Sequence, residues 1–134
     1  MLDVIKDIYL DSFIDNPDER IMHQIKTGES WASVDRIDGK CLLIGGMYPY
    51  WAGVAEAWVK LSPDFYDYKF TAIKDIKTAI KYGVSGLGLH RLQSFCIDDE
   101  VYKNFLGLLG FSPGGRIRQY LPDGSDAILY EMIF

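Results

Sequence analysis

Few residues in this chain combine a chemically useful side chain with a spacing that would let it act with a neighbour. There are two cysteines, Cys41 and Cys96, and two histidines, His23 and His90, and none of them has a partner at metal-ligand spacing. Each cysteine sits in an apolar, strand-like run and reads as a buried reduced thiol. His90 opens a strand beside Arg91 and reads as a hydrogen-bonded structural histidine, whereas His23 falls on an amphipathic helix and reads as exposed. The glycine cluster Gly83-Val-Ser-Gly-Leu-Gly88 echoes a nucleotide loop. It follows a helix and precedes a strand, so no helix N-terminus points at it, and a C-cap followed by a turn accounts for it. Carboxylates and aromatic rings are what is left. Glu56, in Ala55-Glu-Ala-Trp58, is a carboxylate on an expected strand. Trp31, Trp51 and Trp58 gather with Tyr48 and Tyr50 in the same region. The run Tyr48-Pro-Tyr-Trp51 reads as a loop whose rings form either an exposed patch, suited to a protein contact or a substrate lip, or a satellite core.

Composition narrows the classes. A chain of 134 residues, 49% hydrophobic, is the size of one ordinary domain, here spanning residues 1–134, and is too apolar to be disordered. A formal charge of −5 with few arginines lacks the basic excess that non-specific nucleic-acid binding needs, so no nucleic-acid partner is expected. Lys69, Lys74, Lys77 and Lys81 make one basic stripe, which a solvated helix face explains. The longest apolar runs, such as residues 41–47, are far too short to span a bilayer, and the first residues have no basic start followed by an apolar core. No membrane contact and a cytoplasmic location are expected.

The elements that must position these residues follow from periodicity. Leu2, Ile5, Tyr9 and Phe13 recur at helical spacing; Asn16-Pro17 ends that helix and caps a second, which carries Ile21, Met22 and Ile25 inward and stops at Gly28. From Trp31 the period becomes two. Strands over residues 31–37 and 41–47 flank Asp38-Gly39, a dipeptide suited to a tight hairpin, and a third strand, 54–61, continues the meander. A helix over residues 70–82 places Phe70, Ile73, Ile76 and Ile80 on one face. Strand 89–97 leads into helix 98–109, with Val101, Phe105, Leu108 and Leu109 inward and Gly110 as its cap, and a hairpin of strands 116–121 and 127–134 closes the chain.

Three consecutive pieces carry a family likeness: strand 89–97, then the helix that ends Leu109-Gly-Phe111, then Gly115-Arg-Ile-Arg-Gln-Tyr120. Together they resemble the C-terminal half of the GNAT (GCN5-related) acyltransferase superfamily. The resemblance implies an α/β (α+β) fold: a mixed, mostly antiparallel sheet with helices on both faces, in which strands 54–61 and 89–97 are adjacent, parallel and splayed. It also implies acetyl-CoA as cofactor and a protein or small-molecule amine as acceptor. Glu56 matches the position where many members carry a catalytic glutamate, the other reading being an exposed strand carboxylate. The usual general-acid tyrosine position is Leu106 here; Tyr102, one turn earlier, either reaches the thiol or packs against the sheet.

One family motif is missing. Members join the fourth strand to the long helix by a loop of the form Arg/Gln-x-x-Gly-x-Gly/Ala, whose backbone amides bind the CoA pyrophosphate and whose small residues let the phosphate approach. The corresponding segment, Leu61-Ser-Pro-Asp-Phe-Tyr-Asp-Tyr-Lys-Phe-Thr71, has no glycine and no arginine. CoA contacts are therefore expected from the amides of Leu61 and Ser62 and from the helix start at Tyr68, Lys69, Phe70 and Thr71. Residues 38–47 with 53–62 further resemble a small GNAT-like group of tailed phages that includes an internal virion protein of T7-like phages, so a phage-encoded chain would sit in the host cytoplasm or the virion. Two functions follow. One is an acyl-CoA-dependent N-acetyltransferase domain with a degenerate pyrophosphate loop. The other is a non-catalytic GNAT-fold phage protein, a virion component or host-factor binder, making its contact through Tyr48, Tyr50 and Trp51.

Overall fold

The computed structural model describes residues 29–35 and 37–134, so the two expected N-terminal helices and His23 lie outside the described residues. The elements are β1 (Glu29–Val34), β2 (Cys41–Trp51), β3 (Val54–Leu61), a 3-10 helix (Pro63–Tyr68), α1 (Lys69–Leu87), β4 (Arg91–Ile97), α2 (Glu100–Leu108), β5 (Ser112–Ile117) and β6 (Ala127–Ile133). The strands form a six-stranded mixed sheet in the order β1-β2-β3-β4-β6-β5. The β3–β4 pair is parallel and the other neighbours are antiparallel.

The β1–β2 turn comes earlier than residues 31–37 suggest. The Asp35 amide donates to the Lys40 carbonyl at 2.8 Å, and Gly39 supplies the positive φ of 74° that the turn needs. The larger correction concerns β2, which does not stop at Met47 but runs through Tyr48, Pro49 and Tyr50 to Trp51. Pro49 is tolerated because the last partner of β1 is Met47, so its missing N–H falls beyond the β1 ladder. Only Ala52 and Gly53 then join β2 to β3. Gly53 has φ +84°, and a Cβ there would collide with the His90 ring. His90 answers from the other side: its backbone amide donates to the Gly53 carbonyl at 2.9 Å.

Alternation along the strands sorts the side chains into two faces. Leu43, Met47, Ala55, Leu92, Cys96, Ile128 and Tyr130 form one buried cluster with Ala72, Ile76 and Ile80 of α1 and Leu106 of α2, so both helices cover this face. Cys96 is buried as expected, and burial raises the pKa of the half-buried Cys41 thiol.

α1 runs to Leu87, five residues beyond its expected end, with Gly83 buried inside it. The last glycine of the cluster, Gly88, provides the left-handed cap at φ 63°. Phe70, expected inward, is 80% exposed, and Phe65 of the preceding 3-10 helix takes the buried place. In α2 the inward stripe is Tyr102, Phe105, Leu106 and Leu109, whereas Val101 and Leu108 are exposed. Phe105 and Leu109 are inward as expected, and Tyr102 and Leu106 take the places expected of Val101 and Leu108. Asp99 caps α2 by accepting the Val101 amide at 2.9 Å. β5 begins at Ser112 rather than Arg116 because Gly114 lacks the Cβ that would collide with the Glu131 carboxylate on β6.

Between β3 and β4 the pairing is short. Val54 pairs with Arg91, Ala55 with Leu92 and Glu56 with Gln93, after which the two strands diverge as expected.

Candidate functional site

Glu56 lies at the last of these parallel pairs. It is opposite Tyr48 on β2 and opposite Gln93 on β4, which is itself opposite Glu131 on β6. Register therefore lays Tyr48, Glu56, Gln93 and Glu131 in one row across four strands, on the face away from the α1–α2 cluster. Glu56 is only 7% exposed, which removes the reading of an exposed strand carboxylate. The row is braced from β4: Arg91 donates through Nε to Gln93 Oε1 at 2.9 Å and through a terminal nitrogen to Glu131 Oε2 at 2.7 Å. This fixes the Gln93 amide with its oxygen occupied.

Beyond the row the strands separate. The Ala57 carbonyl accepts from Ser94 Oγ at 3.1 Å across the start of the gap. By alternation, Val59 and Leu61 turn their backbone groups the same way, past the last strand pair. Ser62 does not contribute a free amide. Its N–H donates to Leu42 O at 2.9 Å, and its hydroxyl accepts the Asp64 amide at 3.2 Å to cap the 3-10 helix. The 3-10 helix occupies the place of the expected phosphate loop, with Tyr66 and Tyr68 exposed. α1 follows it directly. Its N-cap, Tyr68, makes no side-chain capping bond, and there is no acidic residue in its first turn, so the amide donors there meet no competing side chain. Lys69, Phe70 and Thr71 are exposed at this end, with the Lys69 ammonium 5.4 Å from the centre of the Phe70 ring. The local field is partly acidic, since the Asp38 and Asp35 carboxylates hold the Tyr68 phenol above its ordinary pKa, and Lys40 lies 3.8 Å from Asp64.

The aromatic run forms a rim rather than a loop. Tyr48 and Tyr50 meet edge to face at 5.9 Å, and Tyr50 and Trp51 are 5.8 Å apart. Trp51 is 68% exposed and Tyr50 40%, so these two rings are not a satellite core. Tyr102 stands apart, packed against the cluster on the opposite face from Glu56. No spacing or motif in the chain singles out Gln93, Arg91 or Glu131. Pairing β4 with both β3 and β6 brings them to Glu56, and only a register count across four strands could have found them.

No protein-family model and no curated protein matches the chain. Solved structures do. A ribosomal-protein-S5-alanine acetyltransferase from Vibrio fischeri superposes with a TM-score of 0.67 at 20% identity, over 86% of this chain and 66% of that one. A spermidine N-acetyltransferase chimera from Vibrio cholerae gives 0.73 at 15% identity, over 98% and 88%. A GNAT family acetyltransferase from Elizabethkingia anophelis, with acetyl-CoA bound, gives 0.71 at 13%, over 90% and 85%. At these identities the likeness is one of fold, and the chain has the GNAT fold. Among the described residues no helix is long and apolar enough to cross a membrane. No cluster of three or more His, Cys, Asp or Glu residues among them could hold a metal ion.

Proposed function

We propose that this chain is an acyl-CoA-dependent N-acetyltransferase acting on an amine, with Glu56 as general base. The observation that carries the reading is the place of Glu56: a buried carboxylate on β3, at the last β3–β4 pair and so at the mouth of the gap. Glu56 takes a proton from the acceptor ammonium and leaves the nitrogen lone pair free to attack. The row Tyr48, Gln93 and Glu131 around it gives the acceptor a polar floor, and Arg91 holds the Gln93 amide in one orientation. Tyr102 is a hydroxyl on the far face, from which a proton can be returned to a leaving thiolate.

Acetyl-CoA, when bound, supplies an activated acyl carbon. The unpaired edge of β3 at Val59 and Leu61 suits an extended amide-bearing arm, which can pair only with backbone groups that no strand has taken. The uncapped first turn of α1, with Lys69, Phe70 and Thr71, suits a diphosphate. The Pro63–Tyr68 helix suits it less, because it brings tyrosine side chains and Asp64 where glycine amides would serve. Calorimetric titration with acetyl-CoA and CoA, followed by thiol release with a panel of primary amines, tests the proposal. The expected result is binding weaker than micromolar, because each missing charge-assisted hydrogen bond is worth ~1.5–3 kcal/mol, together with amine-dependent thiol release. No heat at millimolar acetyl-CoA and no thiol release would remove it.

A second reading is a non-catalytic GNAT-fold protein of the kind carried by tailed phages, a virion component or host-factor binder. The exposed Tyr50–Trp51 rim favours it, as does the aromatic, acidic segment in place of a glycine cradle. The same titration separates the two readings.

A further inference from the structure

Trp58 carries an unexplained donor. Among the described residues its indole Nε1–H is buried and has no hydrogen-bond partner. Buried donors are rarely left unpaired, since each one forfeits its bond to water without replacement. Trp58 sits two residues after Glu56 on β3, so both side chains stand on the same face, separated by two strand rises, or about 6.6 Å. It is also past the last β3–β4 pair and opposite Gly46 on β2.

We infer that Trp58 is a specificity-determining residue whose indole N–H receives a carbonyl or carboxylate oxygen of the acceptor substrate, about two strand rises from the ammonium that Glu56 deprotonates. This inference rests on the proposed acetyltransferase reading and names its substrate class: a primary amine that carries a hydrogen-bond acceptor at that distance, as an extended dipeptide does. The remote nitrogens of a polyamine are protonated at neutral pH, so they offer N–H donors only and cannot satisfy the indole. An amide carbonyl is also present in the arm of CoA. The side chain of Trp58 shares the face of Glu56 rather than the plane of the gap, which assigns the donor to the acceptor.

The test follows the three indole N–H signals of the 15N-labelled full chain, from Trp31, Trp51 and Trp58. The Trp58 signal is identified with Trp58→Phe, or by elimination with Trp51→Phe and Trp31→Phe if the first variant does not fold. The probes are glycylglycinamide, spermidine and CoA, added separately. Glycylglycinamide should move the Trp58 signal downfield and slow its hydrogen exchange, while spermidine and CoA leave it in place. In turnover assays Trp58→Phe should raise KM for glycylglycinamide about fivefold, the size of one neutral hydrogen bond, with kcat and the spermidine KM unchanged. A shift with CoA alone would move the donor to the cofactor and overturn the assignment. Failure of the two readings is distinguishable. Acetyl-CoA binding and amine turnover with an unmoved Trp58 signal and no preference between the two amines would overturn this inference alone. Absence of acetyl-CoA binding and of turnover would remove the enzyme reading beneath it.

Discussion

Tyr48 and Glu56 are register partners across the β2–β3 ladder, so a phenol and a buried carboxylate stand side by side where β3 is about to leave β4. The pairing exists because β2 continues through Pro49 to Trp51 and turns on two residues. It joins the aromatic rim to the candidate base through a single cross-strand contact distance.

Glu56→Gln keeps the shape of the side chain and removes its basicity. Turnover should fall ~100-fold or more, with acetyl-CoA affinity and the far-ultraviolet spectrum unchanged. Steady-state kinetics beside calorimetry check this, and full activity in the variant would move the base elsewhere.

Gly53→Ala should destabilise the protein by ~1–3 kcal/mol, because alanine meets both a backbone at φ +84° and the His90 ring. Adding His90→Ala should recover part of the loss and not all of it, since the backbone strain stays. Urea denaturation of the four proteins in this cycle measures the coupling. Simple additivity would mean that the ring contact costs nothing.

Replacing Tyr50 and Trp51 with alanine removes two exposed rings from the end of β2. Stability should change by less than ~1 kcal/mol, because exposed side chains away from caps and cores contribute little. Any self-association or partner binding through the rim should be lost. Sedimentation velocity and thermal melts read the two effects separately, and a large fall in melting temperature would show the rings to be structural.

Asp98 accepts Lys103 Nζ at 2.8 Å and Arg116 at 2.7 Å, and these hydrogen bonds, the one from Lys103 first, hold its carboxyl below the ordinary value. A depressed folded pKa contributes stability that is present above the unfolded value of ~3.9 and is lost as pH falls through the folded one. Lys103, whose own pKa is raised by the Asp98 hydrogen bond, stays charged throughout that window. Asp98→Asn should therefore lower the urea midpoint slightly at about pH 6 and by less at about pH 2.5, the effect being small for so exposed a group. An equal loss at both pH values would mean that the carboxylate charge is not what ties the start of α2 to β5.

Much of the fold was legible because hydrophobic period and turn chemistry are local. The six described strands and the crossover helix follow from residues that read correctly within a few positions, whereas the splayed parallel pair was expected from the family likeness. The misreadings have physical causes. Pro49 and Gly53 suggest a loop, yet a proline beyond the last rung of β1 and a two-residue hairpin turn satisfy the same signals inside a strand. Gly83 and Gly86 suggest a helix end, but burial against neighbouring elements carries α1 past them to Gly88. Glu56 was found through the family likeness. Arg91, Gln93, Glu131 and Trp58 were not, since their meaning depends on which strands lie side by side and on which donor is left unpaired.

The three-rung contact between β3 and β4 also bears on how the molecule assembles. On one side of it, β1, β2 and β3 form a meander of near neighbours in sequence; on the other, β5 and β6 form a hairpin that docks on β4. Each half can fold through short-range closures, whereas their junction must wait for the long crossover through α1, which costs more chain entropy before it is rewarded. The gap is thus the seam at which two halves of one shared core meet. A molecule lodged there would act as a stitch, raising the cooperativity of unfolding as well as the melting temperature.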